Sequence, residues 1–430
     1  MAARRCGLLA LALVFAPSAH AQQTGQTLTL EAAETAALHN QPRILAAELR
    51  SRAAQQRIAE SRAGYFPTAS FNATGVRVAD PGTATAAGAL TTSSISDRFA
   101  YGGSIAQLIT DFGRTAALTQ SARYRLDSQR DMATLTGAQV RLAVRQAYYS
   151  VLGAEAVLHT AKDALANRHL VTHQLTELAN NELRSTLDVS FAQTLESQAE
   201  LAVVRAQSLV EQQRSRLAVA MGEPQSVAAP LADIALPTDA PTDAAALEAQ
   251  AQKTRADLDA ARLDQRSAAE TAKAEQRLRL PTLQVMGAAG QTPFHDRTLQ
   301  DNYAAAGFNL NIPIFNGGLF RAREAEAAFE AKARTQDVAE LSLRVNQQVR
   351  DARSMADEAL HACEVTQRLV AQTTQALHLA QARYDNGLGS IVELNEAQVN
   401  ETSAEIDAAD ARYTYLSRRA DLDYVTGTLN

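Results

Sequence analysis

The 430-residue sequence predicts a mainly α-helical chain with a smaller set of membrane-spanning β-strands, laid out as two copies of one helix–strand–strand–helix plan. Three observations predict it. Residues 321–384 contain neither proline nor glycine and repeat in sevens. Two pairs of alternating segments interrupt the helical stretches. A constant offset of 205 residues joins Gly113 to Gly318, Asp111 to Asn316, Leu187 to Val392, Asp188 to Glu393 and Gln193 to Gln398. Such an offset, held without gaps over about eighty residues, marks an internal duplication.

The stretch 321–384 carries two heptad sets. One is Val349, Ala356, Cys363, Val370, Leu377 and Tyr384; the other is Val345, Ala352, Ala359, Thr366, Thr373 and Ala380. Small residues stand where a dimeric coiled coil prefers leucine or valine. At about 1.5 Å per residue the helix is roughly 100 Å long, more than a globular core covers.

Residues 1–21 read as a secretory signal: Arg4 and Arg5, an apolar core over 8–16, and a small-residue cleavage site at Ser18-Ala19-His20-Ala21. Cys6 precedes the apolar core, so it is not placed for lipidation. Cleavage takes the formal net charge from -6 to -8 and leaves Cys363 alone, a small core residue without a disulfide partner. Charged residues make up 20% with no Lys/Arg cluster, which argues against a nucleic-acid surface. No later stretch has the apolar length of a membrane helix, so any membrane crossing falls to strands.

The first repeat, 22–222, opens with a helix over 30–63, started by Thr29 and Glu31 and kinked or restarted at Pro42. Gly64 and Pro67 end it. Strands follow at about 68–78 and 98–110, joined by a polar loop over 79–97. Ser70, Asn72 and Thr74 alternate with Ala69, Phe71, Ala73 and Gly75; Phe99, Tyr101, Gly103 and Ile105 alternate with Ala100, Gly102, Ser104 and Ala106. Asp111-Phe112-Gly113 closes the second strand. A helix over 114–180, broken only by Gly137 and Gly153, carries its own heptad set: Val151, Leu158 and Leu165 beside Ala154, Ala161 and Leu175. A break leads to a helix over 187–221. Gly222, Pro224, Pro230, Pro237 and Pro241 make 223–243 a linker.

The second repeat, 244–430, follows the same order: helix 244–280, strand about 281–289, loop 290–301, strand about 303–314, closure at Asn316-Gly317-Gly318, the long helix, a break over 385–389, and a last helix over 391–424. Pro67 to Gly113 spans 46 residues and Pro281 to Gly318 spans 37, so the first hairpin loop is the longer. Two short helices end to end nearly match one long helix, so each repeat forms a long helical hairpin with strands at one end.

Four strands cannot close a barrel, and lipid does not tolerate open edges. A ring of identical chains solves both problems. Three chains give twelve strands, an acceptable barrel size, although the periodicity does not set the number three. The polar set then faces a lumen and Phe99, Tyr101 and Ile105 face lipid. A soluble sheet with one wet face is the alternative.

The candidate functional residues cluster at the two breaks. Tyr384, Asp385, Gly387, Leu388 and Gly389 form a turn, with Glu182 standing where Gly387 stands and Arg184 nearby. Glu393 and Glu396 lie three apart on one face of the last helix, and Asp188 is the first-repeat counterpart of Glu393. In a ring these carboxylates meet their symmetry mates; alone they are helix N-terminal acids favoured by the dipole. Asp111, Gly113, Asn316 and Gly318 mark the strand-to-helix junctions. His169 and His173 are four apart without a third ligand and read as solvated. With no nucleophile turn and no phosphate-binding glycine loop, no catalytic residue, cofactor or metal is expected.

The signal segment, the doubled element order, Asp/Asn-x-Gly after the second strand, the break Ala382-Arg383-Tyr384-x-x-Gly387 and the ending YTYLSRRADLDYVTGTLN together resemble the TolC-like outer-membrane efflux proteins. The likeness covers nearly all of the mature chain. It implies a homotrimer whose 12-stranded barrel sits in outer-membrane lipid and continues as an α-helical barrel across the periplasm. It also implies tip turns that dock a periplasmic adaptor and, with it, a proton-driven or ABC-type inner-membrane pump. The duct serves efflux or type I secretion. In the family, acidic residues matching Glu393 and Glu396 line the periplasmic entrance as aspartates, and an arginine in the second tip turn helps latch the closed state. Gly389 stands there in this chain, which leaves Arg184 as a candidate donor toward Asp385. The readings from other classes are a periplasmic or surface coiled-coil structural protein and a soluble helical scaffold.

Overall fold

A computed structural model describes residues 27–77, 82–85, 92–95, 97–237, 243–295 and 300–430. The expected signal segment lies outside the described residues, as do parts of both hairpin loops.

Helices α1 (Leu30–Asn40) and α2 (Pro42–Ala63) lead into strand β1 (Thr68–Val76). A short antiparallel pair, β2 (Gly82–Thr85) and β3 (Thr92–Ile95), stands between β1 and β4 (Arg98–Thr110). Then come α3 (Arg114–Asn180) and α4 (Thr186–Met221). The second half holds α5 (Ala244–Thr254), α6 (Ala256–Gln276), a 3₁₀ turn (Arg277–Arg279), β5 (Thr282–Phe294), β6 (Asn302–Asn311), α7 (Leu319–Asp385) and α8 (Ile391–Val425). The two long helices have 67 residues each and start 205 apart. No helix among the described residues is long and apolar enough to cross a membrane.

The layout is one row, four elements wide. The main sheet is antiparallel with order β1-β4-β5-β6. Below it α2, α3, α6 and α7 pack side by side in that order, and further down the order is α4, α3, α8, α7. The outer elements on one side are thus β1, α2 and α4, and on the other β6 and α7.

Four expectations need correction. The helix expected over 244–280 is split at Arg255, whose backbone is extended (φ −73°, ψ 119°). Gln41 makes the same break between α1 and α2 with nearly the same angles (φ −71°, ψ 117°), and the two positions are 214 apart, like Pro67 and Pro281. Pro42 announces the first break; Ala256 announces nothing. Each breaking residue reaches the C-terminal end of the helix beside it: Gln41 Nε2 donates to the Val219 and Ala220 carbonyls, and Arg255 Nη1 to that of Val425. Second, α3 runs unbroken through Gly137 and Gly153. At Gly153 a Cβ would lie 3.4 Å from the Tyr413 ring, so the glycine lets α8 approach. Third, β5 continues to Phe294 rather than ending at 289. Gly290 pairs with both Gly102 and Tyr303, and the Tyr303 ring lies across the two glycines, where a Cβ would come within 2.6 Å of it. Fourth, β6 ends at Asn311 and β1 at Val76; Pro313 has no amide to offer a ladder.

The register puts Phe71, Phe99, Tyr101, Ile105, Val285, Phe308 and Leu310 on one face of the sheet. Ser70, Asn72, Ser104, Tyr303 and Asn309 share the other, where the Ser70 and Ser104 hydroxyls are 2.8 Å apart. The apolar face is bare in the single chain: Phe308 is 76% exposed.

The helical core is thin and built from small side chains. Val345, Val349, Ala352, Ala356, Ala359, Cys363 and Ala380 are buried, the heptad positions read from the sequence. The densest cluster packs α1 and the segment after α4 onto α3 around Tyr148 and Val144. Burial pushes the Cys363 thiol up, as suits an inert core residue. The proline-rich segment after α4 is strapped down: Leu28 and Leu231 form a parallel bridge, and Arg214 donates to the Val227 carbonyl at 2.8 Å.

Candidate functional site: the two tip turns

Both long helices end in the same hydrogen-bonded turn. Leu388 N donates to the Arg383 carbonyl at 2.8 Å, and Leu183 N to that of Leu178 at 2.9 Å. Gly387 N donates to Tyr384 O and Glu182 N to Ala179 O, both at 3.0 Å. Asn386 and Asn181 side chains each donate to a carbonyl four residues back at 2.7 Å. This is the left-handed helix stop that glycine favours. Gly387 adopts it at φ 74°; Glu182 adopts it at φ 61°, with a Cβ that opposes the conformation.

The next helices are capped alike. Ser390 Oγ accepts from Glu393 N at 3.2 Å, and Ser185 Oγ from Leu187 N at 3.1 Å. Glu393 and Asp188 each fall in a first turn, where the helix dipole favours a carboxylate. Glu393 is ion-paired: Arg383 Nε lies 3.2 Å from its Oε1, while Arg383 Nη2 donates to the Leu388 carbonyl at 3.4 Å. Both side chains are more than a third exposed, so the pair contributes little stability. It does put a cation on the carboxylate. A Cβ at Gly389 would sit 3.3 Å from Glu393 Oε2, so a side chain there would crowd this pair. Glu396 is exposed, one turn further on.

Arg184 meets Tyr384, not Asp385. Its guanidinium lies 5.0 Å from the centre of the Tyr384 ring, while the Asp385 carboxylate accepts from Gln381 Nε2 at 2.8 Å. The Tyr384 hydroxyl oxygen is buried without a hydrogen-bond partner. Burial pushes this phenol above its ordinary value and Asp188 and Asp385 add to the rise, against the nearby Arg184. It therefore stays a donor at neutral pH. His169 faces Glu196 at 2.7 Å across α3 and α4, and His173 is exposed.

At the strand-to-helix junctions Gly113 (φ 91°) and Gly318 (φ 84°) open α3 and α7 in the left-handed region. Asp111 caps its helix: Oδ1 accepts from Gly113 N at 3.0 Å, and Oδ2 from Thr115 N at 2.7 Å and Thr115 Oγ1 at 2.5 Å. Asn316 is exposed, and no side chain caps α7.

Two arginines escaped the sequence reading. Arg383 was read only as part of the break pattern. Arg168, on α3, is buried against α8 and donates to Asn395 and Gln398. Its signal was available: Ala161, Leu165, Arg168, Thr172 and Leu175 continue the heptad, so an arginine occupies a core position.

Known proteins share this architecture. TolC of Escherichia coli strain K12 is 25% identical over 350 residues, covering 76% of this chain and 69% of that protein. TolC of Salmonella enteritidis is 25% identical over 205 residues, which is 45% of this chain and only 41% of the relative. The crystal structure of a membrane protein from Pseudomonas aeruginosa superposes with a TM-score of 0.78 at 22% identity, covering 93% of this chain and 90% of that one. The profile of the outer membrane efflux protein family matches residues 35–223 and 247–428, nearly the whole described length, and the chain belongs to that family.

Proposed function

We propose that three copies of this chain close into an outer-membrane channel-tunnel, the passive exit duct of a tripartite efflux or type I secretion system. The observation that carries this is the pair of open flanks. Among the described residues, β1 and β6 each have one unpaired edge, and α2, α4 and α7 each lack a neighbour on the same two sides. Joining the β6 side of one copy to the β1 side of the next satisfies strands and helices together. Three four-stranded sheets make a twelve-stranded barrel. The face bearing Phe71, Ile105 and Phe308 then meets lipid, and the face bearing Ser70, Asn72 and Asn309 lines the lumen. The helices continue the wall into the periplasm.

The tips are the gate. Around a threefold axis Glu393, Glu396 and Asp188 from three copies converge into a ring of carboxylates. Arg383 on Glu393 lowers the repulsion such a ring suffers when closed. Leu183, Leu187 and Leu388 are exposed at the turns and offer an apolar foothold for a periplasmic adaptor, which brings an inner-membrane pump of proton-driven or ABC type. The pump supplies the energy; passage through the duct needs no catalytic group.

The test is reconstitution in planar bilayers. Detergent-extracted outer membrane should yield a heat-modifiable trimer with ion conductance. Release of the mature protein as a soluble, non-conducting monomer would refute the proposal.

A further inference from the structure

In the tunnel half one buried cation has no carboxylate beside it. Arg168 is 8% exposed. Its Nη1 donates one proton to Asn395 Oδ1 and the other to Gln398 Oε1, each at 2.6 Å. Both acceptors belong to α8. Asn395 is 7% exposed, and its Nδ2, turned away from the arginine, is buried without a partner. Burial lowers the arginine's pKa, with no acid contributing an opposing pull. A lone buried charge is costly, and replacing such groups by apolar ones is often stabilising. Its two bonds tie α3 to α8 at this point.

The place matters. In the lower half each chain consists of two hairpins, α3–α4 and α7–α8, which meet along α3 and α8. A tip that widens by parting the hairpins must shear that seam. Asn395 lies between Glu393 and Glu396 on the same helix. A slide of one helical turn, about 5.4 Å, takes both acceptors out of hydrogen-bonding reach of a guanidinium that is itself buried. The contact is therefore made or lost as a unit, not stretched.

We propose that Arg168 is a positioning residue for the gate, fixing the register of α8 on α3 so that Glu393 and Glu396 sit at the closed ring. The proposal rests on the gated-duct reading above. The neutral acceptors are part of it: a carboxylate in their place would bind the cation too firmly to release.

The test uses the full-length trimer in planar bilayers, reading the fraction of time spent in the open state. Arg168→Met keeps the bulk and removes both bonds; it should raise the open fraction about tenfold. Gln398→Glu, at a half-buried position, turns one bond into an ion pair and should lower the open fraction. In the Arg168→Met background the Gln398→Glu effect should vanish. Shifts of opposite sign are what a residue needed only for stability does not produce. If the native trimer conducts and both variants open as it does, the proposal is overturned even where Arg168→Met lowers heat resistance. If Arg168→Met fails to assemble, an unchanged open fraction in Gln398→Glu overturns it alone. A native protein that never conducts defeats the duct reading instead.

Discussion

Removing the Asp111 carboxylate should loosen the start of α3 and leave the matching start of α7 untouched. Asp111 is 7% exposed and accepts three hydrogen bonds, two from backbone amides and one from the Thr115 hydroxyl. Loss of a helix cap costs about 0.5–2 kcal/mol, with charged caps toward the upper end. Leaving the Thr115 hydroxyl without its acceptor adds about 1 kcal/mol. Asp111→Ala should therefore cost about 2–3 kcal/mol locally. Asn316→Ala, at the equivalent exposed position with no cap bond, should cost less than about 0.5 kcal/mol. The assay is amide hydrogen exchange at Ala117, whose N–H donates to Gly113 O, and at Ala322, whose N–H donates to Gly318 O. Ala117 should exchange roughly 30- to 150-fold faster in Asp111→Ala, and Ala322 in Asn316→Ala should barely change. The pH dependence has a definite sign. Burial alone would raise the Asp111 carboxyl, but its hydrogen bonds from Thr115 and Gly113 overcome that and hold it below the ordinary aspartate value. A depressed carboxyl contributes stability that is complete above its unfolded pKa and lost as pH falls through the folded one. The difference between native and Asp111→Ala should thus be flat from about pH 5 to 8 and shrink below about pH 4. Equal acceleration at both junctions, or none at Ala117, would refute the capping argument.

Three further outcomes are expected. Glu182→Gly relieves a left-handed residue and should slow hydrogen exchange at Leu183, a gain of about 0.5–1 kcal/mol, whereas Gly387→Ala should speed exchange at Leu388 by a similar margin. Tyr148→Phe strips a hydroxyl that bridges the Leu28 and Ala232 carbonyls at 2.7 Å each, and should lower denaturant resistance of the segment strapped down after α4 by about 1–2 kcal/mol, read by exchange at Ala232. Phe308→Arg places a charge on the apolar sheet face and should cost about 2–4 kcal/mol of barrel stability, while Asn309→Arg on the other face should leave trimer yield in the outer membrane unchanged. Equal yields from the last two would show that the faces are assigned wrongly.

What was legible in the sequence is what repetition wrote twice. The heptad positions of α7, the strand alternation and the 205-residue offset all rest on residues that recur. The second-repeat break at Arg255 was not read, although carrying Gln41 forward by the 214 offset lands on it. Proline had been taken as the cause of the break; the common feature is a long polar side chain that reaches carbonyls of the adjacent helix end. Gly290 was read as the first residue of the loop, whereas it pairs within the sheet and makes room for the Tyr303 ring. The partners of Arg184 and Arg383 were invisible for another reason. A flexible charged side chain at a helix end can reach several acids and rings, and only the turn geometry decides among them.

The differences between the repeats say more about the tip than their likeness. The family's second-turn arginine position holds Gly389, and a side chain there would press on Glu393. The cation on that carboxylate comes instead from Arg383, six residues before Gly389, in the last turn of α7 and inside the same hairpin. An ion pair within one hairpin moves with it and puts no restraint on its neighbour. The hairpins are ion-paired far from the tip, where Arg145 meets Asp423 at 3.3 Å; near the tip two contacts join them, Arg184 over the Tyr384 ring and Arg168 on Asn395 and Gln398. Neither is an ion pair between opposite charges, and each is made by an arginine of the first repeat with a residue of the second. Restraint near the tip therefore runs from α3 and its turn onto the α7–α8 hairpin, through one ring contact that salt screens little and one largely buried set of bonds to neutral amides. Raising ionic strength should leave the closed state nearly as firm as before, and a closed-state conductance that climbs steeply with salt, beyond the rise in bulk conductivity, would contradict that account.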